Sequence, residues 1–245
     1  MNNLYTELAT VYEAMYQTFI NYPEEYNFYS SLLKQYDKIE VLEIGCGTGN
    51  LANNFVKAKF DYTGLDLSEE MINLAKNKSP HCRFIQADMR DFKLPKTVES
   101  AIITARTISY LLTSDDINKA FHNIANNLQK GGILCFDIID ANRFIPMVAD
   151  EKEITHKATY NNIAYVRKGD WKLHLANGMD FLWDATYYKK EGQKLIEIGQ
   201  NHSNVRTFTV NEIEIFLFIN GFKLKEIIDR PSYFFPTYVF VAEKV

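Results

Sequence analysis

The sequence predicts an α/β protein: a mostly parallel sheet with helices on both faces, plus an inserted antiparallel β platform. Three observations carry this. Between Lys38 and Ile139, short β-branched runs alternate with helix-periodic segments, the pattern of strands joined by helical crossovers. The stretch KIEVLEIGCGTGN, Lys38 to Asn50, ends one such run in glycines at alternate positions, where a strand leaves a sheet and turns tightly. From about Arg143 to Arg206 the helical period gives way to a period of two.

Taken in order, Leu4 to Ile20 reads as an amphipathic helix carrying Tyr5, Tyr12 and Tyr16. Tyr22 closes it, because the residue before a proline avoids the α region, and Pro23 opens the next helix, Glu24 to Gln35, at its first position. Residues 1–37 thus form an N-terminal helical cap. Ile39, Val41, Leu42 and Ile44 make the first buried strand, and Gly45-Cys46-Gly47-Thr48-Gly49 follows as a loop whose glycines permit positive φ and close approach of a ligand to the main chain. Leu51 to Lys59 is helix-like. The next strand, Tyr62 to Leu65, ends in Asp66, roughly 20 residues past the first glycine, where a carboxylate can accept two hydrogen bonds from the vicinal hydroxyls of a ribose. The spacing is G-x-G-x-G rather than the G-x-G-x-x-G of dinucleotide sites. In addition Glu43, just before the first glycine, is a poor neighbour for a pyrophosphate and a good acceptor for an ammonium group. A cationic nucleoside therefore fits better than a nicotinamide dinucleotide.

Ser68 caps a helix, Glu69 to Lys78, that turns Met71, Ile72, Leu74 and Ala75 to the sheet. Arg83 to Gln86 is the third strand, followed by Ala87-Asp88-Met89-Arg90-Asp91-Phe92, in which Arg90 and Asp91 read as a surface ion pair. Ser100 to Thr104 is the fourth strand. The loop after it, Ala105 to Leu111, lies at the carboxyl end of the central strands, where open α/β sheets bind ligands. A helix starts at Thr113 to Asp116, runs from Ile117 to Leu128 and stops at Gly131-Gly132 before the fifth strand, Ile133 to Ile139. In residues 143–204 the β signals are Ile163 to Arg167, then Met179, Phe181, Trp183, Ala185 and Tyr187 on one face against Asp180, Asp184 and Thr186, then Leu195 to Gln200. This platform is either an acceptor lid or an accessory sheet packed on the core. Thr209 to Glu212 forms a capping box for a helix that ends at Gly221, and Phe222 to Ile228 and Tyr238 to Glu243 supply two last strands.

Four stretches in this order, VLEIGCGTGN, YTGLDLSEEMINLA, FIQADMRDF and LQKGGILCFDI, resemble the class I S-adenosylmethionine-dependent methyltransferases. Within that family the chain looks most like small-molecule N-methyltransferases, including the amino-sugar N,N-dimethyltransferases and the glycine N-methyltransferase group. The resemblance implies a seven-stranded Rossmann-like sheet, parallel with one antiparallel strand, built from residues 38–142 and 205–245. It also implies S-adenosyl-L-methionine as cofactor, S-adenosyl-L-homocysteine as product and a small-molecule acceptor methylated at an amine nitrogen. The cofactor would be held by Glu43, Gly45, Cys46, Gly47, Thr48, Gly49, Asp66, Leu67, Met71, Ala87, Asp88, Met89 and Ala105. In family members the residue matching Asp88 accepts from the adenine amino group, and the residue matching Met89 packs on the ring. Tyr12 and Tyr16 match a tyrosine element of an N-terminal segment that folds over the cofactor. Arg106, Tyr110 and His202 are the further candidates for the acceptor side. The loop after the fourth strand lacks the Asn/Asp-Pro-Pro-Tyr element that grips planar nitrogens in relatives, which argues against amide or nucleobase acceptors. A protein or RNA acceptor, or a non-catalytic cofactor-binding module, shares the same cofactor motifs.

With 245 residues, 47% of them hydrophobic, the chain can bury a full core. A net charge of -4 leaves no basic footprint for nucleic acid. The three cysteines show no metal-binding spacing and read as packing residues, and no metal site is expected. Histidines 81, 122, 156 and 174 read as solvated. Without a leader or an apolar run of about 20 residues, a cytoplasmic protein free of membrane contact is expected, as a monomer or homodimer.

Overall fold

The computed structural model describes residues 8–149, 154–174, 179–232 and 235–245. Two helices come first, α1 (Ala9–Phe19) and α2 (Tyr22–Gln35). Leu4 to Glu7, with Tyr5, lie outside the described residues. Asn21 caps α2 by accepting the Glu24 amide at 3.2 Å. Tyr22 is thus the first residue of α2 instead of the last of a preceding turn: Asn21 caps the helix, and Pro23 falls within the first turn, where its missing amide has no intrahelical partner to lose.

The alternating part follows: β1 (Glu40–Ile44), α3 (Ala52–Lys57), β2 (Asp61–Asp66), α4 (Glu69–Lys78), β3 (Arg83–Gln86), β4 (Val98–Ile103), α5 (Ser114–Asn127) and β5 (Leu128–Ile139). A short 3-10 turn, Thr107–Tyr110, follows β4. Helix α5 ends sooner than the glycine pair suggests. Its last residue is Asn127, and the chain enters β5 at Leu128, so Gly131 and Gly132 lie within the strand. Asn127 secures that exit by donating to Phe92 O at 3.2 Å and accepting the Leu94 amide at 2.8 Å.

After β5 comes a helix that the sequence reading gave to the platform, α6 (Ala141–Ala149). Its Phe144 is fully buried against Phe181 and Phe235, so an apolar anchor overrides the β-like composition. The platform is a four-stranded antiparallel sheet, β6 (Ile154–Tyr160), β7 (Ile163–His174), β8 (Asp180–Glu191) and β9 (Lys194–Arg206), paired in that order. Residues 150–153 and 175–178 of the expected platform lie outside the described residues. Along β8, Phe181, Trp183, Ala185 and Tyr187 are buried, as period two requires. Asp180 departs from it: at the start of the strand it pairs in register with Arg206 and is buried despite its outward phase.

The chain closes with α7 (Val210–Ile219), β10 (Phe222–Asp229) and β11 (Thr237–Lys244). The large sheet has seven strands in the order β10-β11-β5-β4-β1-β2-β3, with β11 antiparallel to both neighbours and the rest parallel. The strand order reverses between β1 and β4, so the β1 and β4 ends open a crevice at the carboxyl edge. The apolar face of α1 (Val11, Ala14, Met15) packs with the platform residues Phe181, Trp183 and Tyr187 in one cluster. The platform thereby sits over the crevice.

Candidate active site

The strand ends supply the floor. After β1 the chain turns through Gly45 at φ 75° and Gly47 at φ 53°, a left-handed backbone open to glycine at little cost. A Cβ on Gly45 would fall 2.8 Å from Thr107 Oγ1, whereas one on Gly47 would meet nothing within 4 Å and would project into open space. Asp66, at the tip of β2, accepts the Gly47 amide at 2.8 Å and the Ser68 amide at 2.9 Å. Burial pushes its carboxyl above the usual range, against the pull of those amides.

Glu43 is 3% exposed and accepts the Tyr62 hydroxyl at 2.6 Å. Burial raises its carboxyl to about 8, with the Asp66 charge adding to the rise. A buried carboxyl held up in this way gains most from a cation brought beside it.

Two cavities border this loop. The larger one is lined by Gly45, Gly47, Asp66, Leu67, Ala87, Asp88, Met89 and Ala105 toward the sheet. Its other half is walled by Tyr12, Tyr16, Arg106, Tyr110, Ile139, Trp183, Val205 and Phe235. The smaller one lies behind the loop against Glu43, Cys46, Thr48, Tyr22 and Glu25. Gly45, Gly47, Tyr12 and Ala105 line both.

Most of the expected residues therefore converge. Gly49 and Met71 do not line either cavity: Gly49 gives room to Phe84 and Ala75 beneath the loop, and Met71 is buried in the first turn of α4. Asp88 lines the floor, but it carries Arg90, whose Nε and Nη2 reach it at 3.0 and 2.6 Å while Nη1 reaches Asp116 at 2.6 Å. The ion pair expected between Arg90 and Asp91 is thus made to Asp88 and Asp116 instead, and it holds the Asp88 carboxyl below its usual range.

His202 does not come to the cavity. Strand β9 runs on to Arg206, and its alternation buries Asn201 and Ser203 while turning His202 outward, where Nδ1 meets Asp184 at 2.8 Å. Trp183, Val205 and Phe235 are wall residues that the sequence did not mark as part of the site. The alternating aromatics of β8 signal Trp183. Phe235 lies in the β10–β11 connection, where no periodicity marks it.

Arg106 follows Ala105, and both hold positive φ, 60° and 54°. The Arg106 amide donates to Asp137 Oδ1 at 2.7 Å, and its guanidinium lies 4.6 Å from the centre of the Phe235 ring. Asp137, buried on β5, is pushed up to about 6 by that burial, with Arg106 opposing the rise. Tyr12 and Tyr16 stack with ring centres 3.9 Å apart, and burial raises the Tyr12 hydroxyl well above its usual range.

These features suit S-adenosylmethionine. A carboxylate stands at the tip of β2 beside the glycine loop, the loop carries space that a Cβ would fill, and the buried Glu43 carboxyl lines the cavity behind it. Among the described residues no three His, Cys, Asp or Glu side chains are grouped to hold a metal, and no helix is long and apolar enough to cross a membrane.

Comparison with known proteins bears on the same residues. Residues 41–132 match a family described as a methyltransferase domain. YqeM of Bacillus subtilis, classed as a methyltransferase, is 27% identical over 196 residues, covering 78% of this chain and 76% of the relative. A dTDP-3-amino-3,4,6-trideoxy-alpha-D-glucopyranose N,N-dimethyltransferase of Streptomyces venezuelae is 33% identical over 94 residues, 38% of this chain and 40% of that protein. Among solved structures, CalS10 from Micromonospora echinaspora, an amino pentose methyltransferase with S-adenosylmethionine bound, superposes with a TM-score of 0.81 at 20% identity over 96% of this chain and 97% of that one. At that identity the likeness is one of fold.

Proposed function

We propose an acceptor for this chain, which belongs to the class I S-adenosylmethionine-dependent methyltransferases: a small molecule that takes the methyl group on an amine nitrogen. The observation that carries the reading is the shape of the larger cavity. Its cofactor half and its aromatic half are one space, roofed by α1 and the platform, which favours a compact acceptor over an extended macromolecule.

Bound S-adenosylmethionine supplies an electrophilic methyl group on a sulfonium. The protein's part is to hold the nucleophile in line about 3 to 3.5 Å away and to exclude water. Tyr12, Tyr16, Trp183 and Phe235 provide apolar walls that do so, and their ring faces attract a positively charged centre. An amine that arrives protonated must first lose its proton. Tyr110 and the residues around it line the place where that happens. The partial likeness to an amino-sugar N,N-dimethyltransferase supports nitrogen as the acceptor atom.

The test is direct. Calorimetric titration with S-adenosylmethionine, S-adenosylhomocysteine and NAD should give micromolar binding of the first two only. Methyl uptake would then be screened over amino sugars, small amines, peptides and RNA. Turnover confined to peptides or RNA would refute the small-molecule acceptor while leaving the cofactor assignment intact.

A further inference from the structure

Helix α1 has two differently built sides. Val11, Ala14 and Met15 bury themselves in the platform cluster. On the side facing the sheet, Glu13 is 6% exposed and sits at the centre of a polar knot. Its Oε2 accepts Thr48 Oγ1 at 2.5 Å and Asn50 Nδ2 at 3.2 Å, and its Oε1 accepts Lys78 Nζ at 2.5 Å and Gln17 Nε2 at 2.7 Å. Asn50 closes the knot by accepting Lys78 Nζ at 2.6 Å and Gln17 Nε2 at 2.9 Å.

Two of the three anchors, Thr48 and Asn50, belong to the glycine loop, and the third, Lys78, stands at the end of α4. Thr48 follows Gly47, whose amide is held by Asp66. Asn50 is the residue after the last loop glycine. Lys78 ends α4, the helix that begins just past Asp66. Glu13 itself lies between Tyr12 and Tyr16 on α1, and Tyr12 borders both cavities. The roof is therefore fastened to the platform by apolar packing and to the glycine loop by hydrogen bonds centred on one carboxylate.

We propose that Glu13 is a positioning residue that latches α1 across the glycine loop, closing Tyr12 and Tyr16 over the cofactor, and that release of this latch admits and discharges the cofactor. The polar seam is the one that opens. Water replaces its hydrogen bonds, and the side chain of Lys78 is already 34% exposed, whereas parting the apolar seam would expose the platform cluster. The carboxylate is held below its ordinary range by its hydrogen bonds from Lys78, Thr48 and Gln17 against the cost of burial, so the latch stays charged across neutral pH. The proposal rests on the assignment of the loop to S-adenosylmethionine.

The experiment compares wild type with Glu13→Ala, Glu13→Gln and Lys78→Met in two readouts. The first is the dissociation rate of labelled S-adenosylhomocysteine. Glu13→Ala should release it about tenfold faster, as loss of charge-assisted hydrogen bonds implies, with Glu13→Gln and Lys78→Met between it and wild type. The second is amide hydrogen exchange in the cofactor-free proteins: exchange in α1 should accelerate while α5 keeps its protection, a difference that general destabilisation would not produce. Should Glu13→Ala fail to fold, Lys78→Met, which alters a side chain at the protein's edge, carries the test. Release at the wild-type rate in all folded variants overturns the latch. Failure of wild type to bind S-adenosylhomocysteine overturns the cofactor assignment, and the proposal with it.

Discussion

The carboxylate of Asp66 accepts the amide of Gly47 at 2.8 Å, so the tip of β2 grips the loop that leaves β1. The residue expected to accept the ribose hydroxyls therefore also fixes the loop beside it.

Asp66→Ala should consequently lose stability as well as affinity. Two amides, those of Gly47 and Ser68, lose their acceptor, at a cost of about 1 to 3 kcal/mol if they stay buried. Thermal unfolding of the cofactor-free variant measures the first effect and calorimetry with S-adenosylhomocysteine the second. An unchanged melting temperature beside weakened binding would mean that the loop needs no tether.

The two loop glycines should separate fold from binding. At Gly47 a side chain meets open space, so Gly47→Val should fold, pay about 1 to 2 kcal/mol for its left-handed backbone and lose cofactor binding. At Gly45 even a methyl group would crowd Thr107, so Gly45→Ala should disturb the turn after β4 and lower stability further. Circular dichroism melts and titration of both variants decide the order.

How much of this was legible beforehand depends on the range of the interactions. The parallel strands and the glycine loop were readable because buried parallel strands and a G-x-G-x-G turn are local patterns, whereas the seven-stranded sheet that they join was implied by the family resemblance. The terminal strands were readable too: the apolar runs Phe222 to Ile228 and Tyr238 to Glu243 fall within β10 and β11, which extend them by one residue at the end of β10 and one at each end of β11. His202 was misplaced because the length of β9, and hence the phase of its alternation, is set by pairing with β8 across a register shift near Tyr187. Glu13 drew no notice because its meaning lies in Thr48, Asn50 and Lys78, which only the folded chain brings to it. Helix α6 was missed for a similar reason: Phe144 is held by partners on β8 and the β10–β11 connection.

Asp137 and the amide of Arg106 make a second long-range pair with a testable role. Consecutive left-handed residues that are not glycine cost about 1 to 3 kcal/mol each, and the hydrogen bond at 2.7 Å offsets part of that. Asp137→Ala should relax the loop and withdraw Arg106 from the acceptor half. The Michaelis constant for the acceptor should then rise several-fold while S-adenosylhomocysteine affinity changes little. Equal losses in both would assign Asp137 to the cofactor side.

Glu43 gives the protein a pH dependence opposite to that of most carboxylates. Its folded value of about 8 lies above the ordinary 4.5, so between these limits the folded state binds the proton more firmly than the unfolded chain. The stability it contributes is complete below about 4.5 and is lost as pH rises toward 8. Glu43→Gln cannot ionise and still offers an oxygen to the Tyr62 hydroxyl. The cofactor-free variant should therefore gain on wild type as pH rises, by an amount on the order of a few kcal/mol, and the gap should level off above about 8. Asp137 is raised as well, but it is common to both proteins and cancels in the difference, whereas the charge of Asp66 enters that difference through its effect on Glu43. Cofactor affinity should move the other way, because the amide lacks the charge that an ammonium group would draw out of Glu43. Urea unfolding at intervals from about pH 5 to 9, without cofactor, follows the gap. A gap that stays constant would mean that Glu43 is already ionised in the free protein, with a partner inside the smaller cavity satisfying its charge.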